Sequence, residues 1–314
     1  MMRRFWQIVL VFGVLLTACT PKASQQQKVR IAVLPVIDAL PIYVAQQEGY
    51  FKEQGVEVEI VPVLSAPERD QLMQSGQVDS ILTEVVVNMI YNKETPQIKT
   101  VRFLRTTTVT TPMFRILASK DSGINTVADL AGVPIAISEG TVIEYMTDRV
   151  LEKAGMAPTD IAKVAVPKIS DRMAFLDSGQ VQAAVMPDPL ASLSIKNGAR
   201  VIIDDTSYPE VSHSVLAFRI ETLNQQGEAV RKVLAGIEQA VTAINGDKTR
   251  WNGLLAELKL VPEPLLKDYV LPDYPLASVP SEEQFADAMQ WAREKGLIQK
   301  DLQYADCVDA SFLP

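Results

Sequence analysis

The reactive side chains of this 314-residue chain are few: two thiols, Cys19 and Cys307, and one imidazole, His213. A single histidine excludes His-rich metal sites and leaves His-dependent catalysis one candidate. Two cysteines, one of them in the N-terminal leader, exclude an intrachain disulfide framework. Hydrogen-bonding groups, by contrast, gather in short loops that interrupt apolar runs. These are Ile37-Asp38-Ala39-Leu40, Thr83-Glu84, Thr106-Thr107-Thr108, Ser138-Glu139-Gly140-Thr141 and Pro187-Asp188-Pro189. Carboxylates, hydroxyls and free backbone N–H groups in such loops suit the capture of a small solute by charge and hydrogen bonding. Each also has a structural role open to it. Thr141 can N-cap a helix with Gly140 as turn residue. Asp188 can cap a helix that starts at Pro189. Asp38 and Glu84 can be solvated acids at positive helix starts, the threonines simply favour strands, and His213 reads as a structural hydrogen-bonding residue.

Positioning these loops requires strands that end where helices begin. From residue 29 onward apolar runs alternate with amphipathic stretches in a βαβα rhythm: strand 29–35, helix 40–54, strand 56–63, helix 65–75, strand 78–82 and a helix near 84–91. Ser65 and Glu68 form a capping box. A strand over 100–104 follows, and a second unit of the same build starts after 116–119. Its short helix opens at Thr126, stops at Gly132 and is followed by strand 134–137. Next come a helix from Thr141 to about residue 154, strand 161–166, helix 170–178, and strands 183–186 and 201–204. Residues 213–219 read as an extended return, and beyond Glu221 the chain is helical apart from a proline-rich stretch over 261–280. The phrase Ser-Gly-Gln-Val occurs once per unit, at 75–78 and 178–181, each time between a helix and a short strand. The reading is an α/β fold of two similar lobes, each a mostly parallel sheet flanked by helices, with a cleft between them. Ligands of open α/β sheets sit beyond the carboxyl ends of the strands, so the five loops converge on that cleft.

The first 27 residues read as an address. Arg3 and Arg4 precede an apolar run over 5–16, broken only by Gln7 and Gly13, and small residues lead to Cys19, which is the layout of a secretory signal. The run is short of the ~20 residues a spanning helix needs. Leu16-Thr17-Ala18-Cys19 resembles the bacterial lipobox, in which the cysteine thiol receives diacylglycerol and becomes the new N-terminus. Residues 1–18 are then a lipoprotein signal peptide and 19–27, polar and aromatic-free, a lipid-anchored tether. The net charge is −8, and cleavage after Ala18 removes two arginines and leaves −10. An acidic body without basic clusters argues against nucleic acid as partner.

Three stretches carry a family resemblance: Ala39-Leu40-Pro41-Ile42-Tyr43-Val44-Ala45-Gln46-Gln47-Glu48-Gly49-Tyr50-Phe51, Asp129-Leu130-Ala131-Gly132 with Ile135-Ala136-Ile137, and Leu151-Glu152-Lys153-Ala154-Gly155. Over roughly residues 28–220 the chain resembles the type 2 periplasmic binding proteins of ABC importers, in the branch that handles nitrate, sulfonates, taurine and thiamine pyrimidine precursors. The resemblance implies lobe one over 28–115 plus 217–314, lobe two over 116–216, and crossings near 114–119 and 213–218. It implies a monomer without cofactor or catalysis, held on the outer face of the cytoplasmic membrane. Such a protein closes on its solute by hinge motion and delivers it to a permease and its ATPase. Asp38, Leu40, Glu84, Thr107, Ser138, Glu139, Gly140, Thr141 and Asp188 are the expected solute-binding residues.

The four carboxylates among them favour a neutral or cationic solute with N–H donors, such as a nitrogen heterocycle of the thiamine-pyrimidine kind, over an oxyanion, which needs paired cations. Many relatives flank the lobe-two acid with aromatic rings, whereas this chain has Met186-Pro187-Asp188-Pro189, so stacking would fall to Tyr43, Phe114 or Tyr145. The alternatives are a site for a sulfonate, taurine or nitrate anion, or an enzyme related to the thiamine-pyrimidine synthase. That enzyme's His-rich cytoplasmic site fits poorly with one histidine behind an export leader.

Overall fold

The computed structural model describes residues 28–314, so the signal peptide, Cys19 and the tether lie outside the described residues. Among the described residues, ten strands form two five-stranded sheets. The first contains β1 (Lys28–Val33), β2 (Glu57–Pro62), β3 (Ser80–Thr83), β4 (Ile98–Thr106) and β10 (His213–Arg219), in the order β2-β1-β3-β10-β4. The second contains β5 (Phe114–Ala118), β6 (Ile135–Ile137), β7 (Lys163–Ala165), β8 (Ala183–Pro187) and β9 (Arg200–Asp204), in the order β7-β6-β8-β5-β9. In both, the first three strands are parallel and the fourth is antiparallel, arriving directly from the other lobe. Each lobe thus lends one strand to its neighbour's register.

The Ser-Gly-Gln-Val phrases occupy equivalent places. Both close the helix before the central parallel strand, β3 or β8, with Gly76 and Gly179 at φ +71° and +75°. That left-handed conformation ends a helix at little cost only with glycine. Gly49, at φ +81°, divides the single helix expected over 40–54 into Leu40–Gln47 and Tyr50–Glu53.

The crossings fall earlier than expected, at 107–113 and 205–212, because Phe114 and Arg115 already pair in the second sheet and His213 already pairs with Thr106 in the first. The lent strands begin pairing at their first residue. Pro112 and Pro209, which lack the N–H a ladder needs, sit in the crossings instead.

Lobe one's core lies between its sheet and the helix Gly227–Gly246. There Gly236 lets the helix press so close to Phe51 that an added Cβ would stand 2.8 Å from the ring. The helix Glu282–Glu294, expected within lobe one, packs on both lobes. Its Phe285, Ala288 and Trp291 share one apolar cluster with Val85 and Met89 of lobe one and Tyr145, Met146 and Val150 of lobe two. Asp148 in lobe two, almost wholly buried, accepts from Trp291 Nε1 at 2.9 Å and pairs with Lys295 at 2.8 Å and Lys163 at 2.9 Å. The tyrosine hydroxyl of Tyr145 donates to Asp287 beside them.

Candidate functional site

Between the carboxyl ends of the two sheets lies a cavity of about 50 Å³ to which both lobes contribute. Leu34, Val36 and Leu82 come from lobe one, Val142, Ile143, Ile169 and Pro187 from lobe two, with Met113 and Phe114 where the chain enters the second sheet. Its polar lining is Asp38, Glu84, Arg105 and Ser214, all from the first sheet or the loops at its strand ends. The space admits one or two water-sized groups. A larger solute enters only if the lobes part.

Each acid of the lining is paired. Asp38 sits in the single 3₁₀ turn Ile37–Ala39 that follows β1, where Arg105 at the end of β4 donates Nη1 to its Oδ1 at 3.2 Å. The other Arg105 terminus donates to the Pro112 carbonyl at 2.9 Å and so ties the pair to a crossing. Glu84 precedes the helix Val85–Asn92, and its side chain does not cap it. It lies 3.5 Å from Nη1 of Arg69, which is wholly buried in the helix Ala66–Gln74 and also donates to Asp70 at 2.8 Å. Burial pushes the Glu84 carboxyl above its usual range, and Arg69 pulls it back only in part. Among the described residues, Arg105 Nε and Ser214 Oγ find no hydrogen-bond partner. Buried donors of this kind are costly unless something accepts from them.

The NMT1/THI5-like family model matches residues 37–247. The chain belongs to the NMT1/THI5-like family. A protein of Escherichia coli (strain K12) named for binding aliphatic sulfonates is 30% identical over 156 residues, 49% of this chain and 48% of that one. The 4-amino-5-hydroxymethyl-2-methylpyrimidine phosphate synthase of Schizosaccharomyces pombe (strain 972 / ATCC 24843) is 26% identical over 125 residues, 40% of this chain and 35% of that one. The match therefore spans half or less of the length of these relatives. Among solved structures, the alkanesulfonate-binding protein of Xanthomonas axonopodis pv. citri bound to MOPS superposes with TM-score 0.76 at 20% identity, covering 91% of this chain and 99% of that one. The periplasmic nitrate-binding protein of Synechocystis PCC 6803 gives 0.73 at 14%, covering 92% and 87%. At these identities the likeness is one of fold, and that fold is the two-lobed periplasmic-binding-protein architecture.

Within this NMT1/THI5-like chain the nine expected residues separate into groups. Asp38 and Glu84 line the cavity. Leu40 does not, since its side chain is wholly inside the lobe-one core. Thr107 lies in the first crossing and donates to Asp205 Oδ2 at 2.8 Å. The 138–141 loop satisfies itself. Thr141 Oγ1 donates to the Ser138 carbonyl at 2.7 Å and accepts from Ile143 N at 3.2 Å, while Gly140 N donates to Glu144 at 2.8 Å. Glu139 is exposed, and Gly140 faces Ile90 of lobe one across the rim of the cleft. The residues this loop positions in the cavity are Val142 and Ile143.

Asp188 points away from the cavity, into a groove of about 760 Å³ on the hinge side. It accepts from Arg115 and Ser192 at 2.5 Å each and from Tyr269 of lobe one at 2.7 Å, forming a latch between the lobes. Burial alone would raise its carboxyl, but Arg115, Ser192 and Tyr269 hold it below the usual carboxylate range. Of the three rings considered for stacking, Phe114 lines the cavity, Tyr43 packs against the lobe-one core, and Tyr145 lies against Trp291.

Two residues that hold the site and the crossing in place escaped the reading of the sequence. Arg69 was foreshadowed by spacing, since Ala66, Arg69 and Met73 occupy the buried stripe of their helix. Asp205 had no such signal. Wholly buried, it accepts from Thr107 Oγ1 and from the Met113 and Phe114 N–H groups at 3.1 and 3.0 Å, pinning the first crossing.

Proposed function

We propose that this chain is the solute-binding subunit of an ABC importer, lipid-anchored through Cys19 on the outer face of the cytoplasmic membrane. In this reading it captures a small solute between its lobes and presents the closed form to the permease. One observation carries it: residues of both lobes line the same cavity at the strand ends, so a solute held there would touch both lobes at once. The family match and the periplasmic-binding-protein fold support it, as does the leader ending in Leu-Thr-Ala-Cys. The solute favoured is a nitrogen heterocycle such as a thiamine pyrimidine precursor. The names of the sulfonate- and nitrate-binding relatives favour an anion instead.

A thermal-shift screen of the mature chain against vitamins, pyrimidines, amines and sulfonates tests the capture role. A true ligand raises the melting temperature as RT ln(1 + [L]/Kd). A chain that no solute stabilises but that turns one over would instead favour the enzymatic reading suggested by the synthase relative. Lipid attachment is tested by mass spectrometry of the N-terminal peptide, with Cys19→Ala releasing the chain from membranes.

A further inference from the structure

Resting on the capture reading, we infer that residues 264–278 form a strap that fixes the turn bearing Asp38 when lobe two is in place, with Tyr269 and Tyr274 as its positioning residues. The strap lies outside both sheets and has little regular structure of its own. Its C-terminal half is fastened to lobe one. Asn245 holds the Tyr274 backbone twice, its Nδ2 donating to the carbonyl at 2.8 Å and its Oδ1 accepting from the N–H at 2.9 Å. Glu238 accepts from Ala277 N at 3.1 Å, and Phe103 N donates to the Ser278 carbonyl at 2.8 Å. Leu271 and the Tyr274 ring are sunk in the lobe-one core, where the Tyr274 hydroxyl donates to the Ile37 carbonyl at 2.7 Å. That carbonyl also accepts from Leu40 N and so closes the 3₁₀ turn that carries Asp38. Tyr274 thus sets the turn from behind.

The N-terminal half reaches the other lobe. Tyr269 donates to Asp188 Oδ2 at 2.7 Å, and Lys196 donates to the Pro264 carbonyl at 2.7 Å. The lysine contact is exposed and weak, whereas a hydroxyl bonded to a buried carboxylate belongs to the stronger, charge-assisted class. Tyr269 is therefore the hold on lobe two. Between the tyrosines, Pro272 has a fixed φ and Leu271 is buried, which leaves that span little slack. With Asp188 out of reach, the half-buried Tyr269 hydroxyl loses its acceptor, a state that favours lifting the strap from the core. The strap is then one element with two arrangements, docked and lifted, and contacts at both ends bias it. Closure of the lobes and setting of the Asp38 turn become a single transition.

Hydrogen exchange read by mass spectrometry on the full mature chain, with no solute added, tests the strap through its cross-effects. Tyr269→Phe keeps the ring and removes the hydroxyl that bonds Asp188. It should speed exchange of the 37–42 amides by about tenfold, although that hydroxyl bonds nothing there. Tyr274→Phe should in turn speed exchange in the lobe-two helix Leu190–Lys196. The double variant should exceed neither single one, because both release the same element. Asn245→Ala, which frees the Tyr274 backbone, gives the same reading at that end should Tyr274→Phe not fold. Variants that each disturb only their own end, or whose effects add in full, overturn the strap and leave solute capture standing. Cross-effects in a chain that no solute stabilises in the thermal-shift screen uphold the link between the lobes and overturn the capture reading.

Discussion

Burial pushes the His213 imidazole down to about 4 from its usual 6.5. The ring is 3% exposed, meets Phe103 edge-on at 5.3 Å, and its Nδ1 finds no partner among the described residues. The folded chain thus keeps His213 neutral. Between pH 6.5 and 4 the unfolded chain binds a proton that the folded one refuses, so stability is full above 6.5 and declines as pH falls through that window. At ~1.4 kcal/mol per unit the loss is about 3 kcal/mol. His213→Gln should flatten this part of the curve in denaturant titrations. A variant whose stability still falls as steeply as the parent's would contradict the assignment. The same scale explains what the sequence revealed of the site. Asp38 and Glu84 were legible because a strand end followed by a helix start is a local pattern. Their partners were not, since the Arg105–Asp38 pair joins residues 67 positions apart and depends on the order of strands in the sheet. The carboxylates Asp38 and Glu84, which pointed to a cationic or neutral solute, are each paired with an arginine in the fold.

At the scale of elements, the two helix-turn-strand repeats were readable because glycine at a left-handed helix end is a local requirement. The place of each lent strand was not, because β5 and β10 are chosen by pairing partners far away in the sequence. The helix 227–246 shows how such packing can be probed. Gly236→Ala gains helix propensity of about 1 kcal/mol but drives a methyl group toward Phe51, and overpacking of this kind costs about 1 to 3 kcal/mol. A net loss in melting temperature is expected, reversed when Phe51 is shortened to Leu in the same chain. A stabilised single variant would mean that the contact is not tight. The sequence reading made 282–294 helical without naming what it packs against. Asp148 supplies the answer by holding Trp291 and Lys295. Asp148→Asn leaves two lysines without that charge, so amides of 282–294 should exchange with deuterium faster than in the parent, while those of 227–246 keep their protection. Unchanged exchange in 282–294 would show that apolar packing alone secures it.

For the whole molecule, the hinge comprises more than the two covalent crossings. Asp205 pins the first crossing, the Asp188–Tyr269 bond closes the side toward the groove, and the helix 282–294 joins both lobes on the other flank. In the proposed function, opening breaks the Asp188–Tyr269 bond and closing restores it. In the proposed function, capture is a hinge closure whose free energy comes from contacts that exist only when both lobes meet the solute. The most direct test places spin labels at Leu64→Cys in lobe one and Val164→Cys in lobe two, both exposed positions, in the soluble chain with Cys19→Ser. Distances are then measured before and after adding back the small molecule released from the purified protein. The account predicts a broad distribution that shortens and sharpens as the molecule is added. An identical distribution with and without it would contradict solute capture by lobe closure.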